Sequence, residues 1–232
     1  MAAHTKIVTF IVELRKSIRN VALAFCCCAL VIFFLTPELL STVQGHLAEN
    51  LYFFSVAGPF LAHVKLALFA ALYALMPWFT MVMWRALGKP FGVSGKQLFF
   101  FIFFTCLLFY AGTLFCYYIT LPFGIKFLLG FSSEELKPVI SVSRFVNFTT
   151  IFILAFGLIF ELPIFMVFLA KVGVFKRKFY EKNRRYAILL IAIVSAMLTP
   201  TPDMVNMLLM GLPLYLLYES GILILRVLKI GR

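Results

Sequence analysis

The chain has 232 residues, 63% of them hydrophobic and 29 of them Phe, with only 13% charged and a mean hydropathy of +1.04. Soluble domains carry about a quarter charged residues, and a core of this size could not hide so much apolar surface, so the composition excludes a soluble globular protein and predicts lipid as the solvent. The formal net charge of +12 then reports membrane topology rather than nucleic-acid binding, because no polar domain with a basic face is present.

The N-terminal stretch FIVELRKSIRN sets Phe10, Ile11 and Leu14 against Lys6, Arg15, Lys16 and Arg19. This predicts an amphipathic segment over residues 1–20 that lies in the inner interface before turning into the first span. Glu13 is the one acid among these bases. It can pair with Lys16 three residues on, or receive a cationic group from a partner. No cleavable signal peptide is expected, because about twenty residues including an acid precede the first apolar run and no small-x-small site follows.

Six apolar segments follow, at 21–35, 60–84, 98–121, 145–170, 186–198 and 204–225. A helix needs roughly 20 residues to cross a hydrocarbon core of about 30 Å, which makes the fifth segment short for a span. Charge argues that it crosses all the same. With six spans and both termini inside, all but four (Lys65, Lys126, Lys137 and Arg144) of the 21 Lys and Arg fall on the inner side, as the positive-inside rule requires. Local thinning of the bilayer is expected beside the short span. In the third connection, the outer one at 122–144, Ser132 or Ser133 followed by Glu135 predicts the start of a short helix. In the last, TPTPD, Pro202 makes a tight turn and Asp203 is placed to cap the sixth helix.

Pro77, Pro163 and Pro213 fall inside spans. Each removes a helix N–H and leaves the carbonyl four residues back without its donor, so kinked helices around a concave face are expected. In the fourth span, GLIFELPIF places Glu161 in an apolar run. At 100° per residue, Asn147 lies about 40° and Thr150 about 20° from Glu161 around the helix, with Gly157 one turn before it. A polar or small stripe ending in an acid predicts a face that meets protein or water. An ionisable residue at this depth is a candidate for function. The alternative is a protonated glutamic acid that glues neighbouring helices by a hydrogen bond. Glu219 reads as a satisfied interfacial acid, with Arg226 two turns on. The five cysteines sit in apolar runs and read as packing residues. No nucleophile–base pair, His-rich metal motif or phosphate loop occurs, so neither an enzyme, a metal nor a cofactor is expected.

Taken together these segments resemble the TatC family of the twin-arginine protein translocase over nearly the whole chain. The resemblance rests on ELR at 13–15 with Arg19 beyond, PFLAHVK at 59–65, AFGLIFELPI at 155–164, LTPTPD at 198–203, and GLPLYLLYE at 211–219. It implies a single six-span membrane domain over 1–232 in a bacterial cytoplasmic membrane. The implied partners are twin-arginine signal peptides of folded cargo and single-span proteins of the TatA and TatB type, with self-association in a larger complex and transport driven by the proton-motive force. Carried over, Glu13, Arg15 and Arg19 would lie in the signal-peptide region, and Glu161 with Asn147 and Thr150 on the concave face. Pro202, Asp203 and Glu219 match family positions in the last outer loop and sixth span. The chain departs from the family in having Phe10 where a histidine is usual, Met207 where a glutamine is common, and no acid between Trp84 and Gln97. Two readings from other classes therefore stand beside it: a proton-coupled small-solute transporter carrying protons on Glu161, and a structural scaffold related to the translocase.

Overall fold

A segment of Phe, Leu and Ile in lipid has no water to satisfy its amides, so it must bond them internally, and the α-helix does this within one segment. The computed structural model accordingly shows helix after helix. It describes residues 2–44, 51–52, 56–93, 95–130, 140–198 and 204–230, and of 2–16, 43–44, 51, 127–129, 198, 205–206 and 209 the backbone alone. The chain is an all-α membrane protein. Its extended structure, among the described residues, is one two-residue parallel pairing of β1 (Leu51–Tyr52) with β2 (Ile140–Ser141).

The contacts divide the chain into two units, 1–106 with 137–151, and 107–136 with 152–232. In the first unit α1 runs unbroken from Ala2 to Phe33. The expected turn between an interfacial N-terminus and the first span is therefore absent. Neither Pro nor Gly occurs in those 32 residues, so nothing interrupts the hydrogen-bond ladder. At 1.5 Å per residue α1 is about 48 Å long, well beyond the hydrocarbon thickness. A turn at Phe34 and Leu35 leads into α2 (Thr36–Gln44), bent 73° from the helix before it. Pro37 sits at the second position of α2, where its missing N–H does no harm. The Thr36 hydroxyl donates to the Phe33 carbonyl at 2.7 Å and lies 2.9 Å from His63 Nδ1.

His63 belongs to α3 (Gly58–Ala74), which is followed by α4 (Met76–Gly88) across a 56° bend. The bend lies at Leu75 because Pro77 has no N–H to give to the Tyr73 carbonyl. Ala62 and Leu66 of α3 pack with Val142 and Val146, and Leu39 and Leu40 of α2 cover them. Trp84 of α4 is fully buried, stacks on Phe101 with ring centroids 4.8 Å apart, and donates its indole N–H to the Thr105 hydroxyl at 2.8 Å.

Helix α5 (Lys96–Phe115) passes through a π-helical turn at Cys116–Thr120 into α6 (Leu121–Leu129). Pro122 thus does not begin the outer connection, as the sequence suggests. The wider turn, in which the Leu121 N–H reaches the Cys116 carbonyl five residues back, takes up the misfit that a proline imposes on an α-helical ladder. Helix α7 (Val142–Phe160) continues into α8 (Leu162–Val172) with a break at Glu161. The rest of the second unit is α9 (Arg177–Lys182), α10 (Arg184–Leu198) and α11 (Met204–Val227), the last accommodating Pro213 without a break.

Among the described residues, three helical stretches are long and apolar enough to cross a membrane: Lys96–Lys126, Val142–Val172 and Met210–Val227. The two bent pairs raise the number to five if each is one span. Helix α10, with 15 residues, is about 22 Å long and falls short of the core thickness. The short helix expected after Ser132 and the Asp203 cap lie outside the described residues.

Candidate functional site

The polar stripe expected on the fourth apolar segment separates into parts with different fates. In the first unit, Thr150 is buried and turns its hydroxyl back onto its own helix, 2.6 Å from the Val146 carbonyl and 3.2 Å from that of Asn147. Thr150 therefore offers no donor to a ligand. The Asn147 side-chain oxygen accepts from Lys65 Nζ of α3 at 3.4 Å. Lys65 is the partner that helical periodicity could not reveal, since it stands 82 residues away.

In the second unit, Gly157 is a packing residue. A Cβ there would meet Phe109 Cε2 at 2.7 Å and Thr113 Cγ2 at 2.9 Å. Gly112 does the same for α7, since a Cβ on it would lie 2.6 Å from the Phe160 ring. The two glycines bring α5 and α7 together without side chains between them, as small residues do in membrane helix pairs. Glu161 is different. It is only 2% exposed, it stands in the break between α7 and α8, and its Oε1 has no hydrogen-bond partner among the described residues.

The break has a local cause. Pro163 cannot donate to the Ile159 carbonyl, and the Glu161 N–H turns instead to the Leu158 carbonyl three residues back at 3.2 Å. The Glu161 carbonyl then accepts from the N–H groups of Ile164 and Phe165 at 3.0 and 3.1 Å, starting α8. Its carboxylate makes no capping bond to that helix. The backbone at Glu161 is thus fully engaged, while a side-chain acceptor is held in an apolar setting with a valence open. Such a group costs about 1–3 kcal/mol if left unmade. Directly beyond it, α11 packs closely on α8: a Cβ at Gly221 would meet Met166 Sδ at 2.7 Å and Pro163 Cα at 3.3 Å.

Glu219, with Arg226 two turns on, is satisfied by other residues. Arg184 at the start of α10 donates to its Oε2 at 2.9 Å, and the Tyr215 hydroxyl to its Oε1 at 3.1 Å. Arg226 pairs with Glu181 of α9 at 3.2 Å, and Glu181 also meets Arg177 at 3.4 Å. The Tyr218 hydroxyl donates to the Tyr180 carbonyl at 2.8 Å. Burial, with Tyr218 beside it, pushes the Tyr180 phenol up to about 12. These bonds tie α9, α10 and α11 together at one end. The sequence signal for Arg184 was its depth: it is the base at the start of the fifth apolar segment, and an acid inside the sixth needs a base at its own level.

Of the other sequence candidates, Arg19 is exposed on α1. The backbone of Glu13 and Arg15 lies on the same helix, but their side chains are outside the described set, as are Pro202 and Asp203. Pro77 and Pro163 stand at the second positions of α4 and α8, just beyond the two breaks, and Pro213 lies within α11.

A family model described as "Sec-independent protein translocase protein (TatC)" matches residues 9–213, from before Glu13 to Pro213. The chain belongs to the TatC family. Among its TatC relatives, the protein of Carboxydothermus hydrogenoformans is 33% identical over 186 residues, 79% of this chain and 76% of that one. The protein of Campylobacter jejuni is 31% identical and covers 93% of this chain and 91% of its own. That of Helicobacter pylori J99 is 35% identical over 91% of this chain and 85% of its own. A crystal structure described as "Twin Arginine Translocase Receptor- TatC in DDM" superposes with a TM-score of 0.81 at 27% identity, covering 96% of this chain and 99% of that one. This TatC-family chain is therefore a membrane component of the Sec-independent, twin-arginine translocase, and a transport subunit rather than a catalyst in its own right.

Proposed function

We propose that this protein is the receptor core of a twin-arginine translocase, with six spans and both ends on the cytoplasmic face of the inner membrane. It binds twin-arginine signal peptides through the N-terminal region around Glu13, Arg15 and Arg19. It assembles with single-span partners of the TatA and TatB type and with further copies of itself, and it passes folded proteins at the expense of the proton-motive force. The observation that carries this reading is the extent of the likeness, which leaves 4% of the chain and 1% of a twin-arginine receptor of known structure unmatched. A carboxylate such as Glu13 can hold a guanidinium through paired charge-assisted hydrogen bonds, which an ammonium cannot reproduce.

The test is complementation of a strain that lacks its own TatC, scored by export of a folded reporter, together with a photocrosslinker at Glu13. Export and capture of a twin-arginine signal peptide are expected, with capture lost when both arginines become lysine. Capture that ignores this change would overturn the site. One sequence feature favours a second reading: residues 84–97 hold no acid, so a single carboxylate faces two arginines. If export fails while small single-span partners still copurify, the protein is a scaffold of the translocase and not its receptor.

A further inference from the structure

The segment between α8 and α10 carries a charge that its own acids do not neutralise. Residues 171–185 hold Lys171, Lys176, Arg177, Lys178, Lys182, Arg184 and Arg185 against one acid, Glu181. Glu181 is already shared by Arg177 and Arg226, and Glu219 is taken by Arg184. Lys176, Lys178 and Lys182 are exposed and make no ion pair with a described acid. They stand at a membrane boundary, because the apolar stretch Val142–Val172 ends just before them.

Beside these lysines the protein exposes apolar surface. Phe175 and Phe179 stack with ring centroids 4.6 Å apart and planes 15° from parallel, yet are 36% and 46% exposed, and Val174 is 55% exposed. The opposite side of α9 is fixed: Tyr180 is buried and its carbonyl is held by Tyr218. Around α9, Lys178, Lys182 and Phe179 lie within an arc of about 100°. An outward face that mixes aromatic rings with unneutralised lysines suits neither water nor hydrocarbon. It suits the headgroup layer, where rings lie among acyl ends and lysine stems carry their charges up to phosphate.

We propose that α9 and the turn before it form a binding surface for anionic phospholipid, with Phe175 and Phe179 set into the interface and Lys176, Lys178 and Lys182 holding headgroup phosphate. Lipid, rather than free phosphate, is indicated by the exposed aromatic pair, for which a soluble anion has no use. The surface uses neither Glu161 nor the N-terminal candidates, and it would fix the end of the α9–α10–α11 group in the plane of the membrane.

The test uses the full chain in nanodiscs of phosphatidylcholine with one third phosphatidylglycerol, transferred to mild detergent for native mass spectrometry. Wild type is expected to retain phosphatidylglycerol in preference to phosphatidylcholine. Each lysine near an anionic surface contributes about a fivefold preference, so the triple variant Lys176→Gln, Lys178→Gln, Lys182→Gln should lose at least about tenfold. The corresponding Lys→Arg variant should keep the preference, and the pair Lys89→Gln, Lys96→Gln should leave it unchanged. Equal retention by the triple Gln variant would overturn the proposal. So would an equal loss in the Lys89/Lys96 pair, which would mean general charge attraction, or copurification of an acidic protein on this surface with no lipid preference. Should the triple variant fail to fold, Phe175→Ser with Phe179→Ser keeps the charges, and an undiminished preference there would count against the surface as described.

Discussion

Glu161 combines two properties that stability alone does not reconcile, burial and an Oε1 without a partner among the described residues. An apolar residue of similar volume would remove the unmet acceptor. Glu161→Met should therefore stabilise the purified protein by about 1–3 kcal/mol in a detergent unfolding titration, while lowering export in the complementation assay. Such an opposition of stability and activity is the mark of a residue kept for use. Glu161→Ala should impair export or partner contact with membrane insertion intact, and Glu161→Gln should be milder. Full export by both the Met and the Ala variants would leave the carboxyl without a role in transport. Gly157 makes the contrast. Its requirement is steric, and Gly157→Ala drives a methyl into Phe109 and Thr113, for an expected loss of about 1–3 kcal/mol. An unchanged unfolding midpoint would show that the Phe109 ring swings aside.

At the scale of elements, the prolines do different things according to what surrounds them. Pro77 follows a 56° bend, Pro163 follows a break that still leaves Val142–Val172 as one long stretch, Pro213 lies inside a continuous helix, and Pro122 is absorbed by a π turn. A missing N–H allows a kink; the packing of the flanking turns sets its size. Pro77→Ala restores the donor for the Tyr73 carbonyl and should reduce the bend. Spin labels at positions 61 and 85, on either side of it, should move apart by several Å in a double electron–electron resonance measurement, about the change expected for straightening two 13- to 17-residue helices. An unaltered distance would place the cause of the bend in the contacts of α1, α3 and α4. The proline positions were plain in the sequence. Their consequences were not, because each depends on neighbours distant along the chain.

For the whole molecule, the question is which ends share a side. Helix α10 is too short to cross a full-thickness bilayer, yet charge puts the segment before it and the tail after α11 together. Cysteine variants at 178 and 230 should be labelled by an impermeant maleimide from the same side, and one at 201 from the opposite side. If 178 and 230 react from opposite sides, α10 does not cross and the six-span reading fails. The same geometry makes the protein sensitive to thickness. A bilayer a few Å thinner relieves the mismatch at α10, at fractions of a kcal/mol per Å.

The sequence by itself determined the solvent, the helical class, the approximate limits of the apolar segments, the charge asymmetry and the family. All of these are written in local patterns, because the helix repeats every 3.6 residues and lipid penalises every charge it meets. It also singled out Glu161, since an acid in an apolar run is conspicuous without any fold. Only the tertiary structure decided who satisfies whom. Asn147 and Lys65 meet across 82 residues of chain, Glu219 takes Arg184 from 35 residues back, and Arg226 takes Glu181 from 45. Periodicity along one helix cannot supply such partners, for a side chain's neighbours are set by the packing of other helices against it. That packing also gave Asn147 its partner and closed over Gly157, while Thr150 turned back onto its own helix and Glu161 Oε1 was left without a partner among the described residues.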